Sequence, residues 1–358
     1  APTGRAAKRL GEATGEPSST LHRLLEYSFQ RGGFQFGDER PLDTDWLVVD
    51  EASMIDTYLM SAIARALPDH ARLLLVGDVD QLPSVGPGNV LADIMESGGV
   101  EVVRLTEIFR QARQSNIVLN AHRINRGELP EAPRRSGEEL VDFYAIEVQE
   151  PAATRERILH MVCERIPKAF GYDAIDDVQI LSPMHKGEVG CRMLNEVLQE
   201  RFNPGAKELV RGPRRFKVGD KVMQQRNNYD LDVFNGDTGR ITRIDEAAKS
   251  VTVTYDDQLV GYEFSQLDEL ELAYAITVHK SQGSEYPCVV LPVVTQHFIM
   301  LQRNLLYTAI TRARELVILI GTQRAVGIAV RNTDARSRYT RLVERLREAA
   351  QTSSMLSY

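Results

Sequence analysis

The chain has 358 residues, 43% hydrophobic and 26% charged, which is enough for two or three domains at roughly 100–200 residues each. No apolar run approaches the about 20 residues of a membrane-crossing helix, and no charged-then-apolar leader is apparent, so a cytoplasmic protein without a membrane partner is expected. The net charge of −7 argues against a protein that coats nucleic acid by bulk electrostatics, and the scattered Cys163, Cys191 and Cys288 offer neither a disulfide framework nor a CxxC zinc pattern.

The chain opens without methionine at Ala1-Pro2-Thr3-Gly4-Arg5-Ala6-Ala7 and is expected to be truncated. Phe29 to Phe36, centred on Gly32-Gly33, has the pattern of a short hairpin. Trp46 to Glu51 and Arg72 to Asp78 are apolar runs ending in acidic residues, which predicts buried strands of a parallel sheet. Between them Ile55 to Leu67 has helical spacing and is closed by Pro68, so strand, helix and strand alternate as in an open α/β sheet. Val178 to Pro183 and Val289 to Val293 predict further parallel strands. Pro204 to Leu270 instead alternates in short segments punctuated by Val218-Gly219-Asp220 and Asn235-Gly236-Asp237, the texture of a small antiparallel barrel inserted into a second α/β domain.

Ligands of such sheets gather at the carboxyl ends of strands, where Asp50, Glu51 and Asp78 fall. An acidic pair there suits nucleotide hydrolysis, with one carboxylate for the Mg²⁺ shell and a neighbour to orient or deprotonate water. A solvated loop has the same composition. The next strand ends Gly77-Asp78-Val79-Asp80-Gln81-Leu82-Pro83, and an amide there is suited to touching a γ-phosphate.

Five stretches in order, Asp50 to Met54, Gly77 to Pro83, Phe109-Arg110-Gln111, Thr277 to Glu285 and Tyr307 to Ala313, resemble motifs II to VI of superfamily 1 helicases, with details similar to the RecD-like branch. That resemblance implies two RecA-like parallel-sheet domains of the P-loop NTPase type, with an inserted small β-barrel like Src-homology domains and a β-hairpin pin. The expected limits are 1–103 for the rest of the first domain, with the pin at about 28–43, then 104–203 and 271–358 for the second, and 204–270 for the barrel. It implies an ATP-dependent 5′→3′ DNA helicase using ATP and Mg²⁺ on single-stranded DNA and at single-strand/duplex junctions.

Carried over residue by residue, Glu51 is the expected base, Asp50 the Mg²⁺ partner through water, Gln81 the γ-phosphate sensor, and Arg110 and Arg312 the arginine fingers. Asp78, Gly283 and Glu285 are expected at the nucleotide, Glu285 on its ribose. Pro2, Thr3 and Arg5 resemble motif Ia, Ser19, Thr20 and His22 motif Ib, and Thr277, His279 and Lys280 of motif V complete a track for DNA phosphates. Ser19 or Thr20 is equally a helix cap, and His279 equally a core histidine. Phe34 and Phe36 either stack on the terminal base pair or pack the hairpin down. The resemblance implies that the barrel lines the DNA exit or meets protein partners, and its basic run Arg211, Arg214, Arg215 and Lys217 is equally a solvated face.

One departure is large. No Gly-x-x-x-x-Gly-Lys-Ser/Thr loop occurs in these residues, so this chain alone is expected to be ATPase-incompetent. The alternatives are a non-catalytic DNA-binding or complex-forming subunit on a helicase scaffold, or a RecD-type subunit of an exonuclease complex.

Overall fold

The computed structural model describes residues 1–28, 30–105, 114–133, 140–228, 230–256, 258–333, 338 and 340–355. The chain forms two compact units, one of residues 1–108 and 334–358, the other of residues 109–333.

In the first unit, α1 (Gly4–Thr14) and the single turn α2 (Leu21–Leu24) precede a two-rung antiparallel hairpin, β1 (Tyr27–Ser28) with β2 (Gly33–Phe34). The hairpin is where the sequence predicts one, but shorter; Phe29 lies outside the described residues. Strands β3 (Trp46–Val49) and β4 (Arg72–Leu75) pair in parallel, joined through α3 (Thr57–Ala66). Leu59, Ile63 and Ala66 of α3 pack with Val49, Leu21 and Leu25 into one core. The strand pattern predicts burial on both faces, yet Trp46, Val48 and Leu74 are exposed, with the Arg72 guanidinium 5.1 Å from the Trp46 ring centre. Helix α4 (Val90–Ser97) follows.

The second unit carries α5 (Asn116–Asn125), β5 (Phe143–Glu147), α6 (Pro151–His160), α7 (Ile166–Phe170), β6 (Val178–Ser182) and α8 (Cys191–Phe202). After the β7–β8 hairpin (Glu208–Arg211, Arg214–Lys217) come β9 (Lys221–Gln224), β10 (Thr238–Asp245), β11 (Ser250–Tyr255), β12 (Gln258–Glu263) and β13 (Leu270–Leu272). The chain then runs through β14 (Ala275–Thr277), β15 (Tyr286–Val293), α9 (Arg303–Ile310), β16 (Ala313–Gly321) and α10 (Gln323–Arg331). Strands β14-β6-β15-β16-β5 form a five-stranded parallel sheet, the doubly wound arrangement expected of a RecA-like domain. One face packs on α6, α7 and α8 through Ile158, Ile166, Leu194 and Leu198. Val289, Leu291, Val317 and Leu319 are buried too, so these strands read as continuous apolar runs.

Strands β12-β11-β10-β9-β13 form the separate antiparallel sheet that the alternating segments predict, around Phe216, Val222, Val251, Val253 and Tyr262. A buried carboxylate ties it to α8. Asp220 accepts from Gln199 Nε2 (2.6 Å), Asn203 Nδ2 (2.7 Å), the Tyr274 hydroxyl (3.1 Å) and Lys217 N (2.7 Å), while burial pushes its pKa up.

The last helix, α11 (Leu342–Met355), differs from expectation. It packs on α4 and belongs to the first unit, whereas the expected limits place it in the second domain. Its amphipathic pattern shows that it has a buried face but not which partner covers it. Among the described residues no helix is long and apolar enough to cross a membrane.

Candidate functional site

In the first unit the two acidic loops lie against each other. Val76 N donates to Val49 O and Ala52 N to Val76 O, both at 2.8 Å, so pairing continues past the strands into the turns. Glu51 sits at φ 54°, the left-handed region that costs a non-glycine residue on the order of 1 kcal/mol and marks a sharply set turn. Asp50 Oδ1 accepts from Glu51 N at 2.8 Å. A Cβ on Gly77 would stand 3.0 Å from both Ala52 N and Ser53 N, so a side chain there would press on the turn behind Glu51 where one loop crosses the other. Beyond it Asp78 Oδ1 accepts from Asp80 N (2.9 Å) and Asp78 Oδ2 from Gln81 Nε2 (3.3 Å), which holds the Gln81 amide on its own loop. Asp50, Glu51, Asp78 and Gln81 are thus brought together by two strand ends and one glycine.

The expected DNA residues of this unit are more structural. Thr3 caps α1, accepting from Ala6 N at 3.3 Å, and buried Thr20 caps α2, accepting from Arg23 N at 3.2 Å. The Ser19 carbonyl accepts from Ala1 N at 3.1 Å. Pro2 and Arg5 are half-buried at the start of α1. The His22 ring lies 5.7 Å from Tyr27 and 5.5 Å from Phe34, and burial lowers its pKa while the Asp56 charge raises it. Phe34 and Phe36 pack on the unit's core, with Arg40 4.1 Å over the Phe36 ring. Of the two readings of these rings, this geometry is the packing one; exposed Gln30, Arg31 and Gly32 form the tip.

In the second unit the candidates divide between opposite ends of the parallel sheet. Thr277 ends β14 level with Ser182 and caps the turn Val278–Ser281, accepting from Lys280 N at 3.4 Å. His279 follows, its pKa lowered by burial and by the nearby His185 charge. Lys280 Nζ donates to Gln225 Oε1 and pairs with Glu271 Oε2 at 2.9 Å, so this cation is already engaged. The chain then returns to the start of β15. There lie Gly283 at φ 73°, exposed Glu285, and Arg312 just before β16. Arg312 is buried and donates from Nη1 to Ser284 O at 3.3 Å. Arg110 and Gln111 lie outside the described residues. Much of the basic run has local partners: Arg215 pairs with Glu208, buried Lys217 with Glu200, and Arg211 covers the Phe264 ring.

The adjoining loop, Ser84–Gly88, lies beyond the motif that ends at Pro83 and carries no signal of its own in the sequence. There Arg338 Nη2 donates to Ser84 O (2.8 Å), and Nη1 to Gly86 O (2.7 Å) and Gly88 O (2.8 Å). A residue some 250 positions away carries no local signal of that contact.

Three family models match the chain: the AAA domain over residues 1–140, the ATP-dependent RecD-like DNA helicase SH3 domain over 194–255, and the UvrD-like helicase C-terminal domain over 272–320. The chain is 40% identical over 348 residues to the ATP-dependent RecD2 DNA helicase of Deinococcus radiodurans, covering 97% of this chain and 46% of that protein. It is 31% identical over 360 residues to the RecBCD enzyme subunit RecD of Mycobacterium tuberculosis, covering 92% and 61%. It therefore spans about half the length of the first relative and less than two thirds of the second. A crystal structure of the Pif1 helicase from Bacteroides in complex with ADP-AlF3 and ssDNA shares the fold, with a TM-score of 0.51 at 18% identity, over 98% of this chain and 86% of that one. With the paired acidic loops, the five-stranded parallel sheet and the separate antiparallel sheet in place, the chain belongs to the RecD-like family of superfamily 1 helicases.

Proposed function

We propose that the protein of which this chain forms part is an ATP-driven helicase that translocates 5′→3′ on single-stranded DNA and opens duplex at a junction. The observation that carries this reading is the close approach of the Asp50-Glu51 turn to the Gly77–Gln81 loop. Among the described residues no group of three or more His, Cys, Asp or Glu forms a protein-only metal site. One carboxylate, Asp50, fits instead an Mg²⁺ ion held mainly by water and nucleotide phosphates. Bound ATP with that ion supplies the transferable phosphoryl group and neutralises part of its charge.

The chain's own residues do the rest. Asp50 holds the ion's water shell, and Glu51 orients and deprotonates the attacking water. Gln81 exchanges its bond to Asp78 for one to phosphate, which makes DNA grip depend on the nucleotide. Arg312 and Arg110 balance charge on the transferring group, Gly283 lets backbone approach the nucleotide, and Glu285 accepts from the ribose. Thr277, His279 and Lys280, with Pro2, Thr3, Arg5, Ser19, Thr20 and His22, follow the DNA backbone; Lys280 must first leave Glu271. The hairpin splits the duplex through its tip at Gln30 to Gly32, with Phe34 as anchor. Domain limits are proposed at 1–103, 104–203 with 271–358, and 204–270, except that α11 goes with the first unit. A DNA substrate implies the cytoplasm, and the barrel is a surface for protein partners.

The 358 residues hold no phosphate-binding loop, so this length alone is expected to turn over ATP negligibly. In the whole protein, Glu51→Gln should lower ATP hydrolysis by about 100-fold or more while leaving ATP-dependent DNA binding intact, because the amide keeps the shape but is no base. Wild-type hydrolysis by that variant would remove the role given to Glu51. A second reading, a RecD-type subunit of a larger complex, draws on the 31% identity to the RecBCD subunit RecD. Unwinding by the purified protein alone, without added subunits, decides for the first.

A further inference from the structure

The loop that follows Gln81 is gripped from two sides. On one side lies the start of α3, six residues beyond Glu51. Thr57 N and Thr57 Oγ1 both donate to Pro87 O at 2.9 Å. A Cβ on Gly86 would fall 1.9 Å from Asp56 Oδ2, and one on Gly88 2.2 Å from Thr57 Oγ1, so both glycines are needed for that approach. On the other side the Arg338 guanidinium collects the carbonyls of Ser84, Gly86 and Gly88. Three carbonyl dipoles converging in a five-residue loop repel one another, and a planar cation with several N–H groups removes that repulsion while setting the loop's shape. The Ser84 hydroxyl, itself buried, adds bonds to Gly86 O (3.1 Å) and Gly88 O (3.3 Å).

We propose that Arg338 is a positioning residue for the γ-phosphate sensor: by holding Ser84–Gly88 against α3 it fixes where Gln81 stands relative to Glu51. Only Leu82 and Pro83 separate the clamped loop from Gln81; Leu82 is buried, and the proline ring leaves little backbone freedom between them. The last segment does not depend on Arg338 for attachment. Thr340 Oγ1 donates to Asp93 at 2.7 Å, and Arg347 Nη2 donates to Glu96 O at 2.8 Å, so α11 has its own anchors on α4. Loss of the Arg338 side chain therefore removes one of the loop's two grips, leaving it held only from α3 and by Ser84, and leaves the helix docked.

The inference rests on the proposed ATPase, and its test is arranged to separate the two. Single-strand-stimulated ATP hydrolysis is measured for the full-length protein, as wild type, R338A, R338K, R347A, Q81A, E51Q and the R338A/Q81A double variant. The expected result is a kcat for R338A about 10-fold below wild type with KM for ATP within about 2-fold, because the sensor acts after binding. R338K recovers part of the loss by returning charge without the planar fork. R347A, which loosens α11 alone, keeps the wild-type kcat, and the double variant is no slower than Q81A. If R338A does not fold, R338K carries the test through the same split between kcat and KM. An unchanged kcat in both Arg338 variants, an equal loss in R347A, or multiplied losses in the double variant each overturn the positioning role. Wild-type hydrolysis by both Q81A and E51Q instead overturns the functional reading beneath it.

Discussion

Gly77→Ala tests the contact that joins the two acidic loops. The new Cβ would stand 2.9 Å from Leu91 Cδ2 and 3.0 Å from the amide nitrogens of Ala52 and Ser53. Leu91 can change rotamer, but the two nitrogens belong to the turn behind Glu51, and Ala52 N is already committed to Val76 O. Reaching ordinary contact means moving backbone by a few tenths of an ångström, an overpacking cost of about 2 kcal/mol. The chain's single tryptophan, Trp46, lies in β3 of the same unit and reports its unfolding by fluorescence. With a urea slope near 2 kcal/mol per molar, the midpoint should fall by about 1 M. Gly98→Ala is the comparison: Gly98 is left-handed at φ 71° with nothing within 4 Å of its Cβ position, so only backbone strain of about 1 kcal/mol is expected. A Gly77→Ala midpoint equal to wild type, or no lower than that of Gly98→Ala, would show that the loops do not constrain each other and would remove the structural basis for their joint role.

Two further outcomes concern the second unit. His297 is buried, its Nδ1 has no hydrogen-bond partner in the structure, and burial lowers its pKa to about 4. The unfolded chain therefore binds this proton at a higher pH than the folded one. The stability involved is complete above about pH 6.5 and is lost as pH falls to about 4, some 2 kcal/mol of it by pH 5. Urea unfolding followed by circular dichroism at pH 7.5 and 5.0 should show a smaller difference in His297→Phe by that amount; an equal difference would mean that the imidazole is solvated. Asp220→Ala leaves four donors, Gln199, Asn203, Tyr274 and Lys217 N, without their acceptor and should cost on the order of 3 kcal/mol or more in the same assay. A loss below about 0.5 kcal/mol would show that the antiparallel sheet is held to α8 by apolar packing instead.

The parallel strands were legible because runs such as Val289 to Val293 are apolar throughout, and the antiparallel sheet because Ser250 to Tyr255 alternates and is bounded by turns. Thr3 and Thr20 were ambiguous for a physical reason: a hydroxyl before a helix serves a backbone N–H or a phosphate equally well. Three features of the site had no local signature. The left-handed turn at Glu51 is set by the strand pairing around it. The tight space around Gly77 comes from the crossing of another loop. The contact of Arg338 with Ser84–Gly88 depends on where the chain goes after α10. Each is a tertiary property of residues whose types alone allow several environments.

The first unit is discontinuous, and this orders its formation. Residues 109–333 form the other unit as one uninterrupted stretch, whereas α4 finds its partner α11 only across a gap of about 250 residues. Domains generally fold as units during synthesis, at about 5–20 residues per second, so α4 and the loop before it wait on the order of ten seconds or longer for the segment that covers them. A nascent chain stopped between α10 and α11 would carry a finished second unit and an unfinished first one. Of these two units, the one whose residues come first is thus the one completed second, and its assembly registers that translation has passed α11.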